Sequence, residues 1–287
     1  AKQGKVMGSP TVVGTIDRLK ETASKLRVNT AILAITKDRP SGLVSRVLDA
    51  RSNGITILEM PAVYEGLAMR VPVEHIYDQR LFPVDGSGLY SKEYMQKVRR
   101  LADFGLSALF LLAMLPVIAF IALIIRLDSP GPTFFKQKRV GKDGRIFTLW
   151  KFRSMRQDAE ENGAVWAVKN DDRVTRVGRW IRLLRIDEIP QLYNVLRGEM
   201  SLIGPRPERP EFVRELEKQI PYYNIRHAVR PGITGWAQVN YRYGASVKDA
   251  RNKLEYDLYY IKNRSLLLDT KIILKTIGVV LFGQGAR

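Results

Sequence analysis

The adjacent acidic residues Asp187 and Glu188 lie in a segment that is otherwise rich in arginine. The pattern predicts a basic amphipathic helix, a short break, and a second helix whose first turn contains Pro190. One interpretation is structural: Asp187 caps the second helix and Glu188 complements its dipole. The other is chemical, because a carboxylate is a metal ligand and a phosphoryl-accepting nucleophile. In that case nearby positive charges should keep the pair ionised and attract phosphate. Those charges come from Arg179, Arg182 and Arg185.

Four basic residues are candidates for binding an anion. Lys151 and Arg153 lie on one side of a predicted strand, although a solvated edge strand explains that segment better when it is taken alone. Arg206 lies between two prolines, and Arg230 begins a second loop rich in glycine. Arginine on a stiff loop suits phosphate binding, but an ordinary turn explains either loop by itself.

The composition limits the possible chemistry. The 287 residues include no cysteine, which excludes disulfides, thiolate metal sites and cysteine nucleophiles. Only two histidines occur, His75 and His227, which argues against a histidine-rich metal site. The net charge is +18, so we expect an anionic partner: nucleic acid, anionic lipid or a phosphorylated small molecule.

Residues 1–84 are predicted to form an α/β unit. Strands at 12–13, 30–35 and 55–58 alternate with a helix at 17–26 and a second helix that Ser41 would cap. Such alternation predicts a parallel sheet of Rossmann type. No G-x-G-x-x-G follows any of the strands, so a degenerate scaffold or regulatory unit is favoured over a dinucleotide site.

Residues 104–125 contain no charged side chain. As a helix they would be about 33 Å long, enough to cross a bilayer core. Both flanks are basic, so the positive-inside rule gives no orientation, and Pro116 in the middle favours a kink or break. A buried core helix, a crossing helix and a re-entrant hairpin bent at Pro116 all remain open, with the hairpin favoured. Residues 85–103 would be a linker or amphipathic helix and 104–126 the membrane segment.

Residues 127–287 are predicted to be a mostly helical α+β domain. Gly141 and the Asp143-Gly144 pair indicate a hairpin between two short strands. The apolar residues of 266–282 are spaced for a helix whose apolar face either packs in the core or lies at a membrane interface.

Four motifs in residues 134–283 resemble, in order, those of the bacterial sugar transferases, the monotopic polyprenyl-phosphate phosphoglycosyl transferases. Four ordered motifs over half the chain are far more specific than any one of them. The apolar segment resembles the re-entrant membrane helix of that family. The first unit is similar to the degenerate Rossmann-like (CoA-binding-like) domain of its long members, which usually follows several transmembrane helices, so we expect further sequence upstream. The motifs are Phe134–Gly141, Trp150–Met155, Asp187–Glu188 with Gln191-Leu-x-Asn-Val-Leu-x-Gly-x-Met-Ser-Leu-Ile-Gly-Pro-Arg-Pro207, and Arg230–Asn240.

The resemblance implies a reaction and a site. The enzyme would transfer a sugar 1-phosphate from a UDP-sugar to undecaprenyl phosphate, with Asp187 forming an aspartyl phosphosugar intermediate and UMP leaving. It implies Mg²⁺ near Asp187 and Glu188, with Glu188 as a metal ligand or a general base. By motif position, Lys151, Arg206 and Arg230 would bind phosphates, and Arg153 is a weaker candidate.

The resemblance also implies a location and a pathway. The catalytic domain would lie on the cytosolic face of the bacterial inner membrane, at the first membrane step of exopolysaccharide, capsule or O-antigen synthesis. Membrane lipids are implied as partners and nucleic acid is not, while a homodimer stays open. The competing hypothesis is a non-catalytic, membrane-anchored basic protein that binds an anionic polymer. A nucleotide-binding oxidoreductase fails for want of a phosphate-binding glycine loop, and no residue indicates which sugar is used.

Overall fold

The structure is a computed structural model that describes residues 12–35, 41–73, 89–159, 171–241, 244 and 246–281. The chain divides into two compact units, residues 1–75 and 76–287. This division falls before residue 84, where the sequence placed the end of the first domain.

The first unit is small and mixed. Its core is formed by Ala23, Ala50, Ile55 and Ile57, which come from the helices and from the second strand. Strands β1 and β2 pair in parallel, with Thr30 opposite Thr56. After a 3-10 helix at Ile16–Arg18, the elements are α1 (Leu19–Leu26), β1 (Thr30–Leu33), α2 (Leu43–Ser52), β2 (Thr56–Glu59) and α3 (Met60–Ala68).

The parallel pairing confirms part of the prediction for this unit, and two details are wrong. Val12 and Val13 form no strand, and among the described residues no strand pairs with them. Helix α2 follows Gly42, whose φ of 81° is left-handed, and no side chain caps it, so Ser41 is not the cap. Two paired strands among the described residues do not establish a Rossmann-like domain.

The first described element of the second unit is α4 (Leu89–Asp128), a helix of 40 residues. It joins into one element what the sequence divided into a linker helix and a membrane segment. Pro116 lies inside it, so the helix continues through the position at which the favoured hairpin was expected to bend. Among the described residues, α4 alone is long and apolar enough to cross a membrane, by length and composition. Its large side chains are mostly exposed, Leu112 by 66% and Phe120 by 62%.

The remainder of the second unit is a mostly helical α+β domain, as predicted. Strands β3 and β4 form the predicted antiparallel hairpin, and β5 pairs with β6 in parallel. Short 3-10 helices occur at Lys142–Gly144, Ile186–Glu188 and Tyr223–Ala228. The other elements are β3 (Phe134–Val140), β4 (Ile146–Phe152), α5 (Arg176–Leu183), α6 (Gln191–Arg197), β5 (Ser201–Ile203), α7 (Pro210–Gln219), β6 (Gly232–Thr234), α8 (Trp236–Asn240), α9 (Val247–Lys262) and α10 (Leu266–Leu281).

Two apolar clusters hold this domain together. One joins β4 to α6 and the residues before β5, and consists of Phe147, Leu149, Val195 and Met200. The other joins the C-terminal part of α4 to β4 and α5, and consists of Ile121, Ile125, Phe152 and Ile181. The C-terminal part of the apolar helix α4 is therefore packed against the domain that contains the acid pair and the two arginine loops.

Helix α10 packs in the core on one face, and the membrane-interface alternative for its exposed face stays a prediction. Leu268 and Ile272 are buried in the core, whereas Leu267 and Leu274 are exposed by 84% and 65%. Phe282, which the sequence included in this helix, lies outside the described residues.

Candidate active site

A sharp break between two helices presents the acid pair. Helix α5 is capped by the side chain of Thr175, which accepts a hydrogen bond from the amide of Gly178 at 2.9 Å. After α5 ends, Arg185 takes a left-handed conformation with φ of 59°, and the chain makes one 3-10 turn, Ile186–Glu188. Pro190 then precedes α6 and no side chain caps that helix. The helix-cap interpretation of Asp187 is therefore wrong, and the expectation that Glu188 complements the helix dipole stays a prediction.

Glu188 is the fixed anion of the site. Its Oε1 atom lies 2.6 Å from Arg206 Nη2 and 3.1 Å from Lys151 Nζ. Arg185 Nη1 is farther from the same atom, at 3.9 Å. Burial by itself would raise the pKa of Glu188, but Arg206 and Lys151 together outweigh it and hold that pKa well below its usual range. Glu188 is therefore a carboxylate at any physiological pH.

Asp187 is held differently although it is the next residue. Its side chain is buried, and its Oδ2 atom lies 3.8 Å from Lys151 Nζ. Burial raises the pKa of Asp187, Lys151 opposes the rise, and the charge of Glu188 adds to it. The arginines of α5 do not dominate this carboxylate as the sequence suggested, since Arg182 contributes only a weaker attraction. The two acids thus have pKa values shifted in opposite directions.

Lys151 and Arg206 contact the acid pair, and the phosphate-binding role expected for them stays a prediction. Lys151 comes from β4, and burial lowers the pKa of its ammonium while Glu188 opposes the change. Arg206 comes from the loop after β5, and its Nη1 donates to Gln238 Oε1 at 3.1 Å. Gln238 was not among the predicted site residues. Its position inside the Arg230–Asn240 motif was the signal that pointed to it.

Arg153 is not brought into this cluster. Its guanidinium is buried at the C-terminal end of α4, where Nη2 donates to the carbonyl oxygens of Ser129 at 2.6 Å and Ile125 at 3.3 Å. Its Nη1 donates to the Pro130 carbonyl at 3.0 Å. Through these contacts Arg153 hydrogen-bonds carbonyl groups of the last turn of the apolar helix and of the residues that follow it.

Arg230 hydrogen-bonds a different part of the domain and not the acid pair. Its Nε donates to the carbonyl of Gly198 at 2.9 Å, just beyond the C-terminal end of α6. The acid pair precedes the other end of that helix. Arg100 donates to the carbonyls of Val195 and Leu196 at the same C-terminal end. The contacts of Arg230 are those of a helix-end residue.

The residues that flank the acid pair pack against an apolar cluster to which α4 contributes. Ile186 and Ile189 lie against this cluster, which joins Ile121 and Ile125 of α4 to Phe152 of β4 and Ile181 of α5. The 3-10 turn therefore has an apolar side at this cluster and a charged side at the cations that contact Glu188.

Comparison with known proteins decides the family. The family model described as bacterial sugar transferase matches residues 94–283, about two thirds of the chain. The chain belongs to the bacterial sugar transferase family. The match includes α4, both arginine loops and the acid pair, and leaves the first compact unit outside it.

Relatives within the family differ in the sugar that their names contain. An Aeromonas hydrophila protein named UDP-N-acetylgalactosamine-undecaprenyl-phosphate N-acetylgalactosaminephosphotransferase is 46% identical over 233 residues, which are 81% of this chain and 54% of that protein. An Escherichia coli K12 protein named UDP-glucose:undecaprenyl-phosphate glucose-1-phosphate transferase is 34% identical over 274 residues, 92% of this chain and 57% of that protein. The chain thus spans about half the length of these two relatives.

A shorter relative is covered almost completely. The exopolysaccharide production protein PSS of Rhizobium leguminosarum is 45% identical over 178 residues, which are 60% of this chain and 88% of that protein. The family therefore includes proteins that are little longer than the matched region.

The donor set near Asp187 suits one kind of metal ion. The described residues contain no group of three His, Cys, Asp or Glu side chains able to hold a metal. Mg²⁺ does not need such a cage, because it binds one or two carboxylates and takes its other oxygens from water and substrate phosphates. Asp187 and Glu188 supply carboxylate oxygens of the kind that Mg²⁺ binds, and Mg²⁺ at this pair stays a prediction.

Proposed function

We propose that this protein transfers a sugar 1-phosphate from a UDP-sugar to undecaprenyl phosphate and releases UMP. The names of the relatives describe such transfers, with N-acetylgalactosamine in one case and glucose in the other. The observation that carries the proposal is the acid pair itself. Two buried carboxylates in a cationic cluster lie on a turn whose flanking isoleucines pack against the apolar cluster that α4 shares with β4 and α5. Such a site can meet both a water-soluble diphosphate and a lipid phosphate.

The opposite pKa shifts of Asp187 and Glu188 favour different roles for the two acids in the reaction. A carboxylate held by Arg206 and Lys151 has little basicity left, so Glu188 suits a fixed negative anchor or metal ligand better than a general base. Asp187 has a raised pKa and fewer partners, and it keeps more of its nucleophilicity. We therefore assign Asp187 as the nucleophile and Glu188 as the anchor.

The transfer balances without a proton. An oxygen of Asp187 attacks the sugar-bearing phosphorus, an acyl phosphate bond forms, and the phosphorus–oxygen bond to the uridine half breaks. UMP leaves with that electron pair. An oxygen of the lipid phosphate, largely ionised because its second pKa is about 6, then attacks the same phosphorus and releases the Asp187 carboxylate. Both attacking groups are anions, so no general base is needed.

The cations of the cluster would bind the substrate phosphates. Lys151 and Arg206 already lie beside the acid pair and can neutralise charge on the diphosphate. Mg²⁺ held by Asp187 and Glu188 would supply further neutralisation when bound. Arg230 remains a proposed phosphate ligand through its two terminal nitrogens, whereas the contacts of Arg153 favour a role at the end of α4.

Anchoring at both ends of α4 supports a membrane segment that does not cross. Ahead of the apolar stretch, Arg99 pairs with Asp269 at 2.8 Å and Asp103 accepts a hydrogen bond from the Leu202 amide at 3.1 Å. Beyond it, Arg153 binds the carbonyl of Ser129. All these partners belong to one folded domain, which can lie on only one face of a bilayer. Because UDP-sugars are cytosolic, we propose that this face is the cytosolic face of the inner membrane.

The reaction is tested by UMP release from a panel of UDP-sugars with undecaprenyl phosphate in detergent. Asp187→Asn should abolish release at an unchanged melting temperature, and intact-protein mass spectrometry should find a phosphosugar adduct on wild type but none on the variant. Asp143→Asn is the matched control, because Asp143 is exposed at a left-handed position where asparagine is well tolerated. Normal turnover by Asp187→Asn would exclude Asp187 as the nucleophile.

The topology is tested separately by cysteine labelling, since the protein has no native cysteine. Gln96→Cys and Lys142→Cys introduce thiols at exposed positions on either side of the apolar stretch. A thiol reagent that does not cross the membrane should label both sites in inside-out vesicles and neither in intact cells. Labelling of the two sites from opposite faces would show a crossing helix.

A further inference from the structure

The loop that carries Arg206 is held along its whole backbone. Four consecutive carbonyl oxygens accept hydrogen bonds: Pro205 from the Gly232 amide at 2.9 Å and Glu208 from the Val140 amide at 2.9 Å. Between them, the Arg206 carbonyl accepts from Arg226 Nη2 at 3.0 Å, and the Pro207 carbonyl accepts from Arg139 Nη1 at 3.0 Å. The hydrogen bond to the Arg206 carbonyl thus comes from a charged side chain of the 3-10 helix at Tyr223–Ala228, which is separate from this loop in the sequence.

Arg226 is itself fixed on all sides. It is buried, its Nη2 also pairs with Asp257 Oδ2 at 3.0 Å, and its Nη1 donates to the Tyr223 hydroxyl at 2.6 Å. Asp257 lies on α9 and is buried as well. A buried charge needs a charged partner and hydrogen bonds, and this arginine has Asp257 as its partner and hydrogen bonds from both terminal nitrogens. Its planar guanidinium reaches three acceptors at once, which an ammonium on a flexible stem does not do in the same geometry.

We propose that Arg226, neutralised by Asp257, is a positioning residue that sets where the Arg206 guanidinium meets Glu188. The line of contacts runs from Asp257 through Arg226 to the Arg206 backbone, and from the Arg206 side chain to Glu188. Arg226 has no contact with either acid among the described residues. It acts on the reaction only by holding the residue that does, and the inference rests on the proposed function.

The position of the Arg206 backbone matters because the guanidinium of Arg206 donates to two acceptors. Its Nη2 lies 2.6 Å from Glu188 and its Nη1 lies 3.1 Å from Gln238. If the backbone at residue 206 moved by about 1 Å, one of these two contacts would be lost. Displacements of that size in groups that position substrate lower rates by about 100-fold.

A double-mutant cycle tests the inference with the full chain in the UMP-release assay. Arg226→Lys should lower kcat/KM by about 10- to 100-fold, mostly through kcat. In an Arg206→Ala background the same change should alter kcat/KM by no more than about twofold, since the residue that it positions is absent. Tyr223→Phe is the control: it removes one contact of Arg226 and leaves the bond to the Arg206 carbonyl, so its activity should match wild type.

The outcomes separate this inference from the proposed function. If Arg226→Lys reduces activity equally in both backgrounds, Arg226 does not act through Arg206 and the inference is wrong. If Arg206→Ala turns over normally, the role assigned to Arg206 in the reaction is wrong instead. Should Arg226→Lys fail to fold, Arg226→Met with Asp257→Leu replaces the buried pair by apolar groups, an exchange that buried ion pairs often tolerate. That folded double variant must still lose activity, and full activity would refute the inference.

Discussion

Replacing Arg153 by methionine distinguishes two roles for this residue. The sequence made Arg153 a candidate phosphate ligand, whereas its guanidinium is buried against the carbonyl oxygens of Ile125, Ser129 and Pro130. Methionine keeps much of the volume and removes every donor. If Arg153 closes the end of α4, the change should lower stability and leave the KM for UDP-sugar as in wild type.

The expected loss follows from these contacts. Hydrogen bonds to a charged group contribute about 1.5–3 kcal/mol each, but such contributions are not additive within one group. The bond to the Ile125 carbonyl is buried, while those to Ser129 and Pro130 are partly buried and water can replace them in the variant. We therefore expect a loss of about 3 kcal/mol, which for a domain of this size lowers Tm by roughly 6–12 °C.

The assay is thermal unfolding in detergent together with the KM for UDP-sugar. Arg145→Met is the matched control, because Arg145 is an exposed residue of the hairpin between β3 and β4 and its loss should change neither quantity. An Arg153→Met protein with wild-type Tm and a raised KM would refute the reasoning and return Arg153 to the substrate site.

Three further changes probe other parts of the molecule. Glu188→Gln should lower kcat/KM by about 100- to 1,000-fold, as loss of one preorganised electrostatic contact does, yet mass spectrometry should still detect the adduct on Asp187; an undetectable adduct would mean that Glu188 takes part in the first step. Burial lowers the pKa of His227 to about 4, so the folded protein binds a proton at this residue less readily than the unfolded chain does. The free energy of unfolding therefore keeps its full value above about pH 6.5 and decreases as the pH falls towards 4. The unfolding free energy of His227→Gln should therefore fall less than that of wild type between pH 7.5 and 5, by about 2 kcal/mol in urea titrations, and parallel curves would contradict this. Removing residues 1–75 should leave UMP release unchanged, because the family model lies outside that unit, and a loss of turnover at normal folding would show that the unit assists catalysis.

The acid pair and its two closest cations were predictable because their residue types and order are distinctive. Lys151 stands in one motif and Asp187, Glu188 and Arg206 in another, and the structure brings all four together. Arg153 and Arg230 stand in motifs of the same kind and contact helix ends instead. A sequence motif records that a residue type is needed at a position, and it does not say which of two neighbouring acceptors the side chain reaches.

Local pattern also predicted the hairpin and the apolar helix, but not the details of the first unit. The hairpin depends on Gly141 and on the left-handed Asp143 and Gly144, which are local requirements. The strand expected at Val12 and Val13 needs a partner strand, and partners are decided by the rest of the fold.

By itself the sequence determined the family-type motifs, the apolar segment of 22 uncharged residues and the need for an anionic partner. Only the tertiary structure decided that Glu188 takes both strong cations while Asp187 keeps one distant one. Only the tertiary structure, too, decided that Arg226 donates to the Arg206 carbonyl and that Arg153 binds a carbonyl group at the C-terminal end of α4. The reason is physical: residue types fix which charges exist, whereas pKa values and contacts depend on burial and on distances between segments far apart in the chain.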